Sequence, residues 1–438
     1  MNRGSLLRDR DFRLVAGSVG LSALGDWVAI VALGLEVKQS TDSGFAVAAL
    51  WICLFGPSVA VAGHAGLLVD RIEATRLLAA ASAIGAVAAA VVAFTTGTGA
   101  LLALTALLGV VFAVSSPAEF ALVPPLAGSD RVQEANGHVE TARYIGFGLG
   151  PVLGALLYAA GGLELAMLVD AATFAAVAVA ALALRVRRQP AAGDGAGPQR
   201  ARDGIAYLFR DRTLALVMTV AFGSLLFMSA VWVGELFFVQ DVLDRGDVSY
   251  GAFLSLWTVG MAMGALLLSP RVAAGAVAAT GLLAAAVQGL GLALPALWLS
   301  FAFFLVCSFV GGLAHGLKNV MFRSLIHVRV PDELHGRAFA AYNGIRNAAE
   351  LGAFAAGGVL VAAIGARGTV AYAGALSALV GLIGLLVLVR RYRGWVPTGP
   401  IGVRGAVGGS SEPPGPAPCA PEVETPALVT VAAPERQA

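Results

Sequence analysis

The feature that most restricts this chain is the number and length of its apolar runs. Twelve of them fall near 13–37, 44–69, 76–97, 99–124, 137–160, 163–184, 213–239, 250–269, 272–293, 296–322, 338–364 and 368–390. Each is close to the ~20 residues that a helix needs to cross a bilayer. Lipid offers backbone N–H and C=O groups no partner, so runs of this length fold as helices that satisfy themselves. With 58% hydrophobic and 13% charged residues, the composition excludes a soluble domain. The expectation is an all-α polytopic membrane protein with twelve transmembrane helices. The first run is too long for the apolar part of a signal peptide and has no clear cleavage site, so it should remain as a helix.

Basic residues set the orientation. One set of connections carries Arg71 and Arg76, Arg131, a cluster from Arg185 to Arg212, Arg271, Arg329 and Arg337, while the other holds only Lys38, Arg245 and Arg367. The positive-inside rule then puts both termini and the central loop in the cytoplasm. High Ala, Gly and Arg usage fits a GC-rich bacterium, so the expected location is the bacterial inner (plasma) membrane. The chain divides into a tail (1–12), a six-helix half (13–184), a central loop (185–212), a second six-helix half (213–391) and a Pro/Gly-rich tail (392–438) expected to be disordered. An internal repeat supports the halves: L-L-R-D-R-D-F-R-L-V at 6–15 resembles L-F-R-D-R-T-L-A-L-V at 208–217. The same shift carries Gly150 onto Gly352. A second polar stripe also recurs one residue out of step, with Glu140 and Arg143 in helix five and Arg346 and Glu350 in helix eleven.

Several function classes drop out. A net charge of +2 argues against nucleic acid as a partner. Cys53, Cys307 and Cys419 are scattered and form neither a metal spacing nor a disulfide framework. There is no G-x4-G-K-[ST], H-E-x-x-H or G-x-S-x-G, so no ATP site and no enzyme is expected, and no cofactor or metal.

The fifth run carries a distinctive spacing. Gly137 is followed by eight residues, then Gly146, three more, Gly150-Pro151, two more, and Gly154-Ala155. On a helix Gly146, Gly150 and Gly154 form one smooth face, the kind that lets membrane helices approach backbone to backbone. Pro151 removes a backbone donor and bends the helix. This spacing resembles the antiporter signature G-x8-G-x3-GP-x2-GG of major facilitator superfamily exporters, with only the last glycine changed. The resemblance implies the major facilitator fold, two six-helix halves about a midplane site. The glycine face is expected to meet Gly260-x3-Gly264 of helix eight and seal the outer side.

Gly66-Leu-Leu-Val-Asp70-Arg71, with Arg76 beyond it, looks like the loop 2–3 signature of the same superfamily, G-x-x-x-D-R-x-G-R-[KR]. The resemblance implies a cytoplasmic latch that closes in one state and releases in the other. Glu73 and Thr75 depart from the pattern, which implies a weaker or differently paired latch. Three further phrases resemble exporters of the enterobactin-exporter and macrolide-efflux type: Ser22-Ala-Leu-Gly25-Asp26-Trp27, Pro117–Pro124 followed by Glu134-Ala135-Asn136-Gly137, and Pro331–Arg337. That group implies proton-linked export of a small amphipathic natural product. The fourth-helix Arg of many proton–drug antiporters is absent between Gly99 and Leu126, so a coupling site must be built differently.

Charges inside apolar runs cost about 2.5–3.5 kcal/mol each on insertion scales and mark candidate functional groups. Asp26 in helix one is the favoured coupling or substrate-contacting acid, against a helix-packing Asp as the bland alternative. Glu235 and Asp170, in the outer parts of helices seven and six, are the next candidates for the cavity, and Glu119 lies near the inner end of helix four. Asn343, Arg346, Asn347 and Glu350 form a stripe at helical spacing, as do His315, Lys318 and Asn319. Arg346, Glu350 and Lys318 belong either to a cytoplasmic gate, the favoured reading, or to a cavity wall for a polar substrate. Trp27, Trp51, Trp232, Trp257, Phe227, Phe253, Phe303 and Phe304 are candidate lining, although a lipid-facing ring is the default for any one of them. The expected partners are a small-molecule substrate, protons and the bilayer, with a monomer as the working unit. Uptake through the same fold, and a non-transporting membrane sensor using the C-terminal tail, are the rival functions.

Overall fold

A computed structural model describes residues 6–60, 72–128, 131–185, 205–331 and 334–392. Gly66, Asp70, Arg71, most of the central loop and the tail beyond Tyr392 lie outside the described residues. Among the described residues every regular element is helical. The first half contains α1 (Arg10–Thr41), α2 (Gly44–Ala60), α3 (Ala74–Ala93), α4 (Thr98–Ala121), and α5 and α6 within one run, Val132–Ala183. The second contains α7 (Arg212–Phe237), α8 (Asp247–Met263), α9 (Val277–Ala293), α10 (Phe301–Arg329), and α11 and α12 within His335–Tyr392.

The two long runs are each two crossings. Gly162, at φ 64, breaks the first, and Gly365, at φ 70, breaks the second; glycine takes this left-handed backbone without a Cβ penalty. The chain then doubles back. Gly146 and Gly154 lie against Gly20 to Val28 of α1, and Asp170 and Thr173, beyond the break, lie against Gly25 of the same stretch. Likewise α7 meets α11 at Gly357 and α12 at Val380 and Ser377. Twelve helices result among the described residues, and all but the shorter Gly44–Ala60 fall in stretches long and apolar enough to cross a membrane.

Helix starts explain the sequence repeat. Asp9 accepts from the Phe12 N–H at the start of α1, and Asp211 accepts from the Thr213 and Leu214 N–H groups at the start of α7. The repeated R-D-R phrase is therefore an N-cap used twice. Caps also place some boundaries outside the apolar runs: α1 starts at Arg10 and α10 ends at Arg329, because a helix continues past the lipid wherever its end is capped.

Both described ends of the chain lie on one side, here called the termini face. The halves share a single core toward the opposite face, from Val28 and Trp51 to Phe238, Phe253 and Phe354. Toward the termini face each half has its own core, one built from residues 6–184 and the other from residues 208–388. The halves are thus joined at one end and separately filled at the other.

Candidate functional site

A cavity of about 420 Å³ lies between the halves on the termini side of the shared core. That volume is within the ordinary range for small-molecule sites. Its walls are mostly apolar and aromatic: Trp27 on α1, Phe55 on α2, Phe112 on α4, Phe147 on α5, Phe174 on α6 and Trp232 on α7. Trp27 meets Trp232 across the halves at 6.1 Å between ring centroids, and Phe55 stacks on Phe354 at 5.8 Å. Of the eight aromatic candidates only Trp27 and Trp232 line the cavity. Trp257 packs on His315, Phe253 on Phe304, and Phe303 on Trp298.

Two carboxylates of the first half reach the cavity, Asp26 and Asp170. Their helices approach closely because position 25 is glycine: a Cβ there would stand 2.7 Å from Asp170 Oδ1 and overlap Thr173. Asp170 is fully buried and its Oδ2 has no hydrogen-bond partner, while the Thr173 hydroxyl donates to the Asp170 carbonyl at 2.8 Å. Glu235 is elsewhere, buried in α7 beside Tyr250, and does not line the cavity.

On the opposite wall, α11 presents Arg346, Asn347 and Glu350. Arg346 Nη2 pairs with Glu350 Oε2 at 3.5 Å on its own helix, so the stripe forms a wall in this state. Lys318 is buried one layer back, beside a small void shared with Arg346 and Tyr342. His315 is a satisfied packing residue: it lies 3.3 Å from Gln288 Oε1, and Asn319 Nδ2 is 2.9 Å from its Nε2. Of the loop 2–3 group only Arg76 is described, and its guanidinium pairs with Glu73 at 3.0 Å on the surface.

One pair was missed from the sequence. Arg143 on α5 reaches Glu119 on α4 at 3.5 Å, and its guanidinium sits 4.5 Å from the Phe120 ring. The available signal was a lone Arg in an apolar helix, which needs a buried counter-charge.

The expectation for the glycine face needs correction. Gly146, Gly150 and Gly154 face α1, not α8: a Cβ on Gly150 would stand 2.6 Å from Trp27 Cβ, and one on Gly154 2.8 Å from Val28 Cα. Gly260 and Gly264 instead seat Phe309 and Leu313 of α10. The seam between α5 and α8 does exist, on another side of α5. Gly251 lies against Pro151, Val152 and Ala155, and beside Pro151 the Val152 N–H donates to Ser255 Oγ at 3.1 Å. Small residues predict close approach but do not choose the partner. Gly137 has open space around it.

The halves are also tied at the opposite face. Lys38 Nζ, at the end of α1, pairs with Asp241 Oδ1 at 2.5 Å, and Gly44 of α2 lies against Gly358 and Val361 of α11. Toward the termini face, Gly137, Gly344 and Gly352 stand in open space. The molecule is therefore closed at the opposite face.

The sequence matches the Major Facilitator Superfamily over residues 15–353. No curated protein matches it at the sequence level. Among solved structures it is similar to a mutant form of the nucleoside transporter NupG, with a TM-score of 0.69 at 14% identity, covering 86% of this chain and 99% of that one. It is also similar to the peptide transporter POT in complex with sulfate, with a TM-score of 0.68 at 14% identity, covering 88% and 95%. At such identities the likeness is one of fold. With the family match spanning most of the sequence and a twelve-helix fold enclosing a central cavity, the chain belongs to the Major Facilitator Superfamily and is a membrane transporter of that kind.

Proposed function

We propose that the chain is a secondary active transporter that exports an amphipathic small molecule by proton antiport with alternating access, resembling the enterobactin-exporter and macrolide-efflux type. The observation that carries this reading is the cavity itself: aromatic walls for an apolar body, with the Asp26 and Asp170 carboxylates set into them. The antiporter spacing from Gly137 to Gly154 adds to it, since its three closely seated glycines fix α5 on the helix that carries Asp26.

In this reading residues 13–184 rock against residues 213–391, and the termini face is cytoplasmic, as the Arg distribution favours. A state can be favoured only by a ligand that binds it better. Substrate from the cytoplasmic side displaces protons from Asp26 and Asp170; protons from the outside reload them and release the substrate. Glu235, away from the cavity here, joins the proton route in the state open outward. Arg346, Glu350 and Lys318 close the cytoplasmic side in that state, together with Gly66, Asp70, Arg71 and Arg76. No cofactor is required, and a monomer carries the complete cavity.

The test is an accumulation assay with a drug and natural-product panel in a sensitive bacterial host. Wild type and Asp26→Asn are compared with and without a protonophore. Lower accumulation in wild type that is abolished by either treatment supports proton-linked export. Raised accumulation in wild type means uptake, and an unchanged panel leaves the sensor reading in front.

A further inference from the structure

A buried cation of the second half has no partner. Lys318 of α10 is 2% exposed, and among the described residues no hydrogen bond or ion pair reaches it. An ammonium taken out of water without a counter-charge is far costlier than a paired one. The groups that could serve it are engaged elsewhere. Glu350, the carboxylate in its electrostatic neighbourhood, pairs with Arg346. His315, one turn before it on α10, is held at its two ring nitrogens by Gln288 and Asn319. What Lys318 does face is a void of about 10 Å³, lined also by Asn319, Phe222, Tyr342 and Arg346. That is room for about one water-sized group. The void adjoins the main cavity, because Arg346 lines both. Arg346 stands 3.5 Å from Glu350, longer than a good charge-assisted hydrogen bond, so its guanidinium has donors left for a second anion. The charges of the cavity are thus divided: Asp26 and Asp170 on the first-half wall, Arg346 with Lys318 behind it on the second-half wall.

We propose that Lys318 and Arg346 form an anion subsite, so that the substrate is an amphiphile whose apolar body carries a carboxylate, sulfonate or phosphate group. Arg346 meets the anion at the cavity wall. One oxygen of the anion enters the void, where Lys318 supplies the second positive charge. The aromatic walls take the apolar body, and the anion is held across the cavity from Asp26 and Asp170, not against them. The gate role of Lys318 and Arg346 belongs to the other state, after the anion has left them. This rests on the transporter reading above and adds to it the charge class of the substrate.

The experiment compares two probes with one aromatic body, anilinonaphthalene sulfonate and its uncharged counterpart phenylnaphthylamine. Full-length protein in phosphatidylcholine nanodiscs is titrated with each, and saturable binding is read by energy transfer from tryptophan, since Trp27 and Trp232 stand in the cavity wall. Protein-free nanodiscs give the background. Wild type should hold the sulfonate more tightly than the neutral probe. Lys318→Met keeps a stem of similar length without the charge, and should cut the sulfonate-to-neutral affinity ratio at least about tenfold, the worth of one hydrogen bond to a charged group. Arg346→Gln should cut it as well, and decides the matter by the same ratio should Lys318→Met fail to fold. A ratio that these variants leave unchanged overturns the inference, and so does a loss shared equally by both probes, which is what a packing role gives. Phosphatidylglycerol in the nanodisc that displaces the sulfonate supports the anion subsite and makes a lipid headgroup its occupant; no displacement supports it with a water-borne solute. Binding of this kind needs neither a proton gradient nor a direction. A sulfonate preference in protein that exports nothing from the panel removes the export reading and leaves the subsite. Export of neutral and cationic compounds alone, without the preference, removes the subsite and leaves export.

Discussion

Asp26 and Asp170 are brought together by one missing methyl group. Gly25 lets α1 and α6 close until position 25 nearly touches the Asp170 carboxylate. Gly25→Val should therefore separate the pair and reduce transport about a hundredfold, the low end of what one positioned acid–base group contributes. Transport rates normalised to folded protein would check this. The α5 glycines differ in the same way. Gly154→Val inserts side-chain atoms into the α1 backbone and should lower stability by about 1–3 kcal/mol, while Gly137→Ala, with open space around it, should be neutral. Thermal unfolding of the two purified variants measures the contrast, and equal midpoints would contradict the seating of α5 on α1. The acids of the cavity were visible in the sequence because charge is costly in lipid. The Glu119–Arg143 pair was not: its members are on different helices, and only the folded bundle brings them to 3.5 Å.

At the scale of elements, the helices were legible because a bilayer leaves the backbone no alternative. Their partners were harder to read. A small-residue face states that a helix comes close, but α1 took the glycines of α5 and α10 took those of α8. The repeat was legible as sequence, and its meaning as a pair of Asp N-caps needed the structure. Two turns carry a further prediction. Gly162 and Gly365 hold left-handed backbone where α5 gives way to α6 and α11 to α12. Gly162→Ala and Gly365→Ala should each cost about 1–2 kcal/mol, read as a lower unfolding midpoint; no change would mean that the turn relaxes elsewhere. The end of α7 winds into a π-helical turn, Phe238–Val242, which presents Asp241 to Lys38. Lys38→Asp should loosen the opposite face and raise labelling of a cysteine introduced at Ser255. Lys38→Asp with Asp241→Lys should bring it back toward wild type. Labelling that ignores both changes would remove this ion pair from the closure.

At the scale of the whole molecule, the distribution of cores describes what can move. A single core joins the halves toward the opposite face, and separate cores fill them toward the termini face. Rocking one half on the other would therefore disturb the shared core and leave the two separate ones intact. Composition and helix count pointed to this architecture, since twelve crossings and an internal repeat leave few other arrangements. The state of the molecule was not legible, because both states of such a transporter share one sequence. The most direct test of proton-linked export uses everted membrane vesicles that hold an imposed inside-acid pH gradient, reported by a quenched weak-base dye. Adding a compound that the accumulation panel identifies should collapse the gradient as the compound enters the vesicles, and Asp26→Asn should abolish both signals. Compound uptake that proceeds equally without a gradient, or a gradient that the compound leaves untouched, would contradict proton antiport.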